Sequence, residues 1–137
     1  MAILRTDTDI ASLLRRSRTI AVVGLSGMPH RDSHRVALYL QQQGYVIIPV
    51  NPLVGDVLGQ AAFPDLGSIG HAVDIVDVFR RPEHVPEIAG AAIRSGARAL
   101  WLQFDTVDED AAEAASAAGL DVVLDRCIMV EHRRLIS

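Results

Sequence analysis

Glycine, serine and arginine recur within ten residues of one apolar run, as Gly24-Leu25-Ser26-Gly27 followed by Arg31 and Ser33. Glycine lets a backbone turn sharply and bring its N–H groups up to an anion. A serine hydroxyl can donate to that anion, and an arginine can grip phosphate with two parallel hydrogen bonds. Where such a segment leaves a strand and opens a helix, the helix dipole points at the same place, so the pattern is that of a phosphate cradle. It is a degenerate form of the dinucleotide fingerprint, with Ser26 standing where the middle glycine would be. Such turns also occur without a ligand. In that case Arg31 is a solvated charge and Ser33 an N-cap, and for Ser33 both roles are compatible, because cap and anion share one position.

Four further groups fall where strands are expected to end. Asn51-Pro52 follows an apolar run at the point where an NAD-binding domain offers Asp or Glu to the ribose hydroxyls. A carboxylate there would repel a ribose phosphate, so its absence suits a ligand carrying one. The same dipeptide is equally a turn initiator. Phe79-Arg80-Arg81-Pro82 sets two cations at another strand end, for a second phosphate contact, a lid over a ribose, or ion pairs with Asp77 or Glu83. Trp101 and Gln103 alternate and so share a sheet face, lining the same edge or, for the tryptophan, filling core. Cys127 has no His–Cys–acid spacing around it, and thiols commonly behave as small hydrophobes. The five histidines show no paired metal-ligand spacing, and no serine elbow, Walker loop or carboxylate pair is present. The expectation is a chain with no catalytic residue and no metal.

The elements that must position these residues follow from patterning. Thr6-Asp-Thr-Asp9 offers N-caps to a short amphipathic helix ending in arginines. Residues 19–23 predict a strand, 33–43 a helix closed by Gly44, and 45–50 a strand apolar enough to be central, shortened or frayed at Pro49. The stretch 51–70 reads as loop with a short edge strand in 61–66. Strand 74–79, helix 83–95, strand 99–104, helix 108–118 and strand 122–124 follow, then a short basic tail after Cys127. This alternation predicts an α/β fold with a doubly wound, mostly parallel five-stranded sheet and helices on both faces. Ligands of such sheets sit at the carboxyl ends of the strands, where the strand order reverses.

The bulk properties narrow the function classes. At 137 residues the chain is expected to be one domain, 1–137, with 1–18 supplying an N-terminal helix that packs on it. Aromatics make up 4%, so aliphatic residues and alanine must fill the core. With 13 basic and 17 acidic residues the net charge is −4, which argues against a nucleic-acid partner. One cysteine leaves no intramolecular disulfide, and no apolar run approaches a signal peptide core or a membrane span. A cytoplasmic protein with no membrane or nucleic-acid partner is expected.

One resemblance covers about residues 19–135. It is carried by Val22-Val-Gly-Leu-Ser26, Arg31-Asp-Ser33, Gly44-Tyr45, Ile48-Pro-Val-Asn-Pro52, Leu58-Gly59, Asp74-Ile-Val-Asp-Val-Phe-Arg-Arg-Pro82, Trp101-Leu-Gln103 and Asp125-Arg-Cys127. Together these segments resemble the small stand-alone coenzyme A-binding proteins. Their domain is similar to the nucleotide-binding domain of the succinyl-CoA synthetase α subunit and related ADP-forming acyl-CoA synthetases. The resemblance implies a Rossmann-like sheet holding coenzyme A or an acyl-CoA. It implies phosphates at Gly24, Leu25, Ser26, Arg31 and Ser33, and the nucleotide near Asn51 and Pro52. Phe79, Arg80 and Pro82 would line the mouth, with Trp101 and Gln103 on the pantetheine side. The family pattern continues after the glutamine with an apolar residue and glycine, whereas this chain has Phe104-Asp105. Aspartate tolerates a left-handed backbone better than most residues, but its charge faces an anionic ligand.

The synthetases carry a phosphorylated histidine and an ATP-grasp unit in further domains, for which 137 residues leave no room. The leading reading is therefore a non-catalytic coenzyme A-binding protein in acyl-CoA metabolism, acting as a binding module, carrier or sensor and working with a protein partner. The alternatives are a small NADP-linked oxidoreductase and a regulatory subunit of an acyl-CoA synthetase-type enzyme.

Overall fold

The apolar runs pair as five parallel strands in a computed structural model that describes residues 2–136. In chain order the elements are α1 (Asp7–Arg16), β1 (Thr19–Val23), α2 (Asp32–Gln42), β2 (Val46–Val50), β3 (Asp56–Val57), β4 (Gln60–Ala61), β5 (Ile75–Val78), α3 (Val85–Ser95), β6 (Ala99–Leu102), α4 (Glu109–Ala117), β7 (Asp121–Leu124) and α5 (Ile128–Leu135). The main sheet runs β2-β1-β5-β6-β7, all parallel, and β3 and β4 form a separate antiparallel pair. This is the doubly wound α/β arrangement expected from the alternation of elements, and its order reverses between β1 and β5.

Alternating side chains build a core on each face. One layer packs Ile20, Val22, Ile75, Ala99, Trp101 and Val123 against Ile10, Leu13 and Leu14 of α1, Val36, Ala37 and Leu40 of α2, and Ile128 of α5. The other packs Ala21, Val23, Val76, Val78, Leu100 and Leu102 against α3 and the alanine face of α4. Thr6 caps α1 by accepting the Asp9 amide, and residues 2–4 extend along β7 through the Leu4 N–H to Val122 carbonyl bond at 2.7 Å. Asp74 ties the starts of two strands, its carboxylate accepting from the Arg18 and Thr19 amides at 2.7 and 3.1 Å.

Four local expectations need correction. β2 is an edge strand, not a central one. Its apolar run is explained by the loop that covers it: the Phe63 amide donates to the Pro49 carbonyl, and the Asn51 amide donates to the Phe63 carbonyl. Pro49 stays within the strand, because an edge strand tolerates a residue with no N–H to give. In place of an edge strand at 61–66 there is the β3–β4 hairpin, a single bridge from Phe63 to Val50, and a 3-10 turn at Leu66–Ile69. The tail after Cys127 is helical. Ile128 and Leu135, seven residues apart, turn inward, and Arg134 bonds Asp7 and Glu131 to lock α5 on α1.

Candidate functional site

At the reversal in strand order the chain leaves β1 through Gly24 and β5 through Phe79, and the two exits nearly touch. The Gly24 amide donates to the Val50 carbonyl and the Phe79 amide to the Val23 carbonyl, both at 2.9 Å. Gly24 has φ +88, and a β-carbon built on it would stand 2.5 Å from the Phe79 carbonyl oxygen and 2.9 Å from Cδ of Arg80. Only glycine meets both demands. The Arg80 stem therefore crosses directly over the turn.

Beyond Gly24 the loop is pinned from both sides. Leu25 is fully buried in the layer beneath α2. Asn51 donates from Nδ2 to the Leu25 carbonyl at 3.0 Å, while its Oδ1 accepts from the Leu53 amide at 2.9 Å. The Ser26 amide donates to Oγ of Ser33 at 3.0 Å, and the Ser26 Oγ accepts from the Met28 amide. Ser33 is thus not the N-cap expected from the sequence. That position falls to Arg31, whose side chain caps nothing, and Ser33 is a buried residue of the first helical turn that clamps the loop. With no side-chain cap, the first amides of α2 have no intrahelical acceptor and point at the loop.

Three neighbouring recesses open along this edge. The first, about 550 Å³, is bounded by Gly24, Ser26, His30, Arg31, Ser33 and Phe79, with Met28 and Asp32 at its rim. The second, about 280 Å³, lies between Val23, Val50, Pro52, Pro64, Arg80 and Ile88, with Asp65, His84 and Glu87 also on its walls. The third, about 420 Å³, runs between the end of β6 and the start of α5, and shares Phe79 and Asp32 with the first. Neither Arg31 nor Arg80 forms an ion pair among the described residues, so the guanidinium groups beside the Gly24–Ser26 turn are unneutralised. Arg35, by contrast, is held by Asp32 and the His30 carbonyl.

The structure separates the residues singled out by sequence into two groups. Gly24, Ser26, Arg31, Ser33, Pro52, Phe79, Arg80 and Gln103 border the recesses. Leu25 and Asn51 hold the loop from beneath. Trp101 is fully buried, its indole N–H donating to the Arg126 carbonyl at 2.8 Å, which is the core alternative left open by the sequence. Gln103 is nearly buried, and its Oε1 accepts the Ile128 amide at 3.0 Å, capping α5. Pro82 is exposed at the first position of a 3-10 turn and borders none of the three recesses. Asp77, weighed as an ion-pair partner for Arg80, has neither carboxylate oxygen hydrogen-bonded and is wholly buried; that burial pushes its carboxyl well above the usual range. Met129 and Val130 on the third recess escape the sequence reading, which gives only a short basic tail after Cys127, although the seven-residue spacing of Ile128 and Leu135 was the available signal.

Asp105 has φ +62, so the left-handed conformation that glycine would supply is present in this chain too. Among the described residues no group of three or more His, Cys, Asp or Glu is placed to hold a metal ion, and no helix is long and apolar enough to cross a membrane.

Residues 18–133 match a family model described as a CoA binding domain. The Bacillus subtilis (strain 168) protein YneT is 43% identical over 127 residues, which is 93% of this chain and 94% of that protein. A protein from Pyrococcus horikoshii OT3 superposes with a TM-score of 0.94 at 40% identity, covering 97% of this chain and 94% of its own. A Thermus thermophilus protein superposes with a TM-score of 0.91 at 36% identity, over 96% of this chain and all of its own.

Proposed function

This chain belongs to the CoA binding domain family, and from that membership we propose that it is a binding module for coenzyme A or an acyl-coenzyme A, seated where β1 and β5 diverge. The observation that carries the reading is the cradle itself. Gly24 lets the exits of β1 and β5 close up beneath the Arg80 stem, α2 begins without a side-chain cap, and two unneutralised guanidinium groups, Arg31 and Arg80, flank the turn. Helix-start amides and arginines are the donors that a pyrophosphate accepts best.

In this proposal the pyrophosphate takes the first recess, held by Ser26, Arg31 and the opening amides of α2. The adenosine lies toward Pro52 and Arg80 in the second recess, where flat apolar walls adjoin a cation. The pantetheine arm runs past Phe79 toward Gln103 and the third recess. Asn51 acts as a positioning residue, since its amide is engaged with the Leu25 carbonyl and the Leu53 amide. Trp101 acts through the backbone of Arg126, which leads into α5. The whole chain, 1–137, works as one such unit, in the cytoplasm and with room for a protein partner in acyl-CoA metabolism.

Thermal unfolding of the purified protein with coenzyme A, dephospho-coenzyme A, NAD and NADP tests the reading. Ligand at 100 times its dissociation constant adds about 2.7 kcal/mol, a shift of several degrees at this size. Stabilisation by coenzyme A and not by NADP supports it. A shift with NADP alone replaces it with a dinucleotide-binding oxidoreductase.

A further inference from the structure

The third recess differs in chemistry from the phosphate cradle with which it is continuous. Phe79 and Asp32 form the shared wall. Beyond them stand Phe104, Cys127, Met129 and Val130, and Phe104, in the turn after β6, and Val130, on α5, are 57% and 47% exposed, giving this recess an apolar lip. The one cation on this recess, Arg35, is already held by Asp32 and the His30 carbonyl. A second carboxylate, Asp105, stands at the rim with no ion-pair partner among the described residues. Its place is fixed by the turn after β6, where both the amide and the hydroxyl of Thr106 donate to the Gln103 carbonyl, at 3.2 and 2.7 Å.

We propose that this recess receives the acyl group of a short, uncharged acyl thioester, and that Asp105 is a specificity residue that turns away acyl groups ending in a carboxylate. The inference rests on the coenzyme A reading above, since only a ligand anchored by its phosphates in the first recess presents its thioester to the third. Methylene groups placed against Phe104, Met129 and Val130 leave water, tightening binding by up to about fourfold each. A terminal carboxylate placed there meets Asp105 with no free cation to answer it. Repulsion between two partly solvated carboxylates a few ångströms apart amounts to about tenfold in affinity.

Calorimetric titration of the full chain with coenzyme A, butyryl-coenzyme A and succinyl-coenzyme A tests this, the two acyl groups having the same four-carbon length. Butyryl-coenzyme A is expected to bind about tenfold more tightly than coenzyme A, and succinyl-coenzyme A at least about tenfold more weakly than butyryl-coenzyme A. Asp105→Asn, which keeps a side chain tolerant of the left-handed backbone, is expected to narrow the butyryl-to-succinyl ratio about fivefold or more. Asp105→Gly serves as a second variant with the freest backbone there and is expected to do the same. Equal affinity for all three ligands would place the acyl group outside this recess and overturn the inference while leaving the coenzyme A reading standing. A butyryl preference unchanged in both variants would remove Asp105 from it. Absence of binding by every ligand would overturn both readings.

Discussion

The carbonyl oxygen of Phe79 lies 2.5 Å from the point where a β-carbon on Gly24 would stand, so the exits of β1 and β5 can approach only because residue 24 has no side chain. That approach lays the Arg80 stem across the turn. Sequence position, strand order and site geometry meet at this one glycine.

Gly24→Ala is therefore expected to do two kinds of damage. The left-handed backbone, at φ +88, and the contact with Phe79 together should cost about 2–4 kcal/mol of stability. Urea unfolding followed by fluorescence of Trp101, the sole tryptophan and fully buried, measures that loss. Coenzyme A should no longer stabilise the variant that remains folded.

Asn51→Asp keeps the acceptor for the Leu53 amide but sets a carboxylate oxygen against the Leu25 carbonyl in place of a donor. The expected result is a stability loss of about 1–3 kcal/mol and weaker coenzyme A binding. Asn51→Ala should lose less of either. A loss of coenzyme A affinity in Asn51→Ala without a matching loss of stability, seen in paired unfolding and titration experiments, would show that Asn51 touches the ligand and does not merely position the loop.

Arg31 is exposed and supports nothing in the fold, so Arg31→Ala should leave the unfolding midpoint unchanged. Coenzyme A affinity should fall about tenfold or more, and the salt dependence of binding should flatten. If Arg31 holds the 3′-phosphate, dephospho-coenzyme A loses little from the same substitution. Equal losses for both ligands assign it to the pyrophosphate.

Asp77 and His132 are expected to make stability depend on pH in opposite senses. Complete burial with no hydrogen-bond partner raises its carboxyl well above the unfolded value of about 3.9. A raised folded value means that its contribution is fully present below the unfolded value and is lost as pH rises through the folded one. His132, held below its ordinary range by burial, works in the opposite sense, contributing above about 6.5 and losing stability as pH falls through its folded value. Asp77→Val, between Val22 and Trp101 on neighbouring strands, should raise stability at pH 8 by about 1–3 kcal/mol. It should also leave a profile with only the acid-side fall. Denaturant unfolding of both proteins from pH 4 to 9 checks the sign.

Much of the proposed cradle was legible because its residue types carry their chemistry in the chain itself. Gly24 answers a backbone demand, Ser26 and Arg31 are chemically suited to anions, and the missing acid at Asn51 is read directly from the chain. Asn51 and Gln103 are different. Both were picked out as candidate ligand contacts, and both direct hydrogen bonds at backbone far away in sequence, at Leu25 and Ile128. A polar side chain at a strand end has the same pattern whether it faces a ligand or a loop.

The sequence by itself determined the parallel doubly wound sheet, because apolar runs alternating with amphipathic segments can be buried in few other ways. It also determined the position of the glycine turn proposed to cradle phosphate, because a glycine turn between strand and helix is a local device. The tertiary structure alone decided that β2 stands at the sheet edge, that Trp101 is core, that Asp77 is buried without a partner, and that the chain after Cys127 returns as α5 to wall the third recess. These depend on which distant segments come to lie against one another, and local periodicity carries no record of the neighbour.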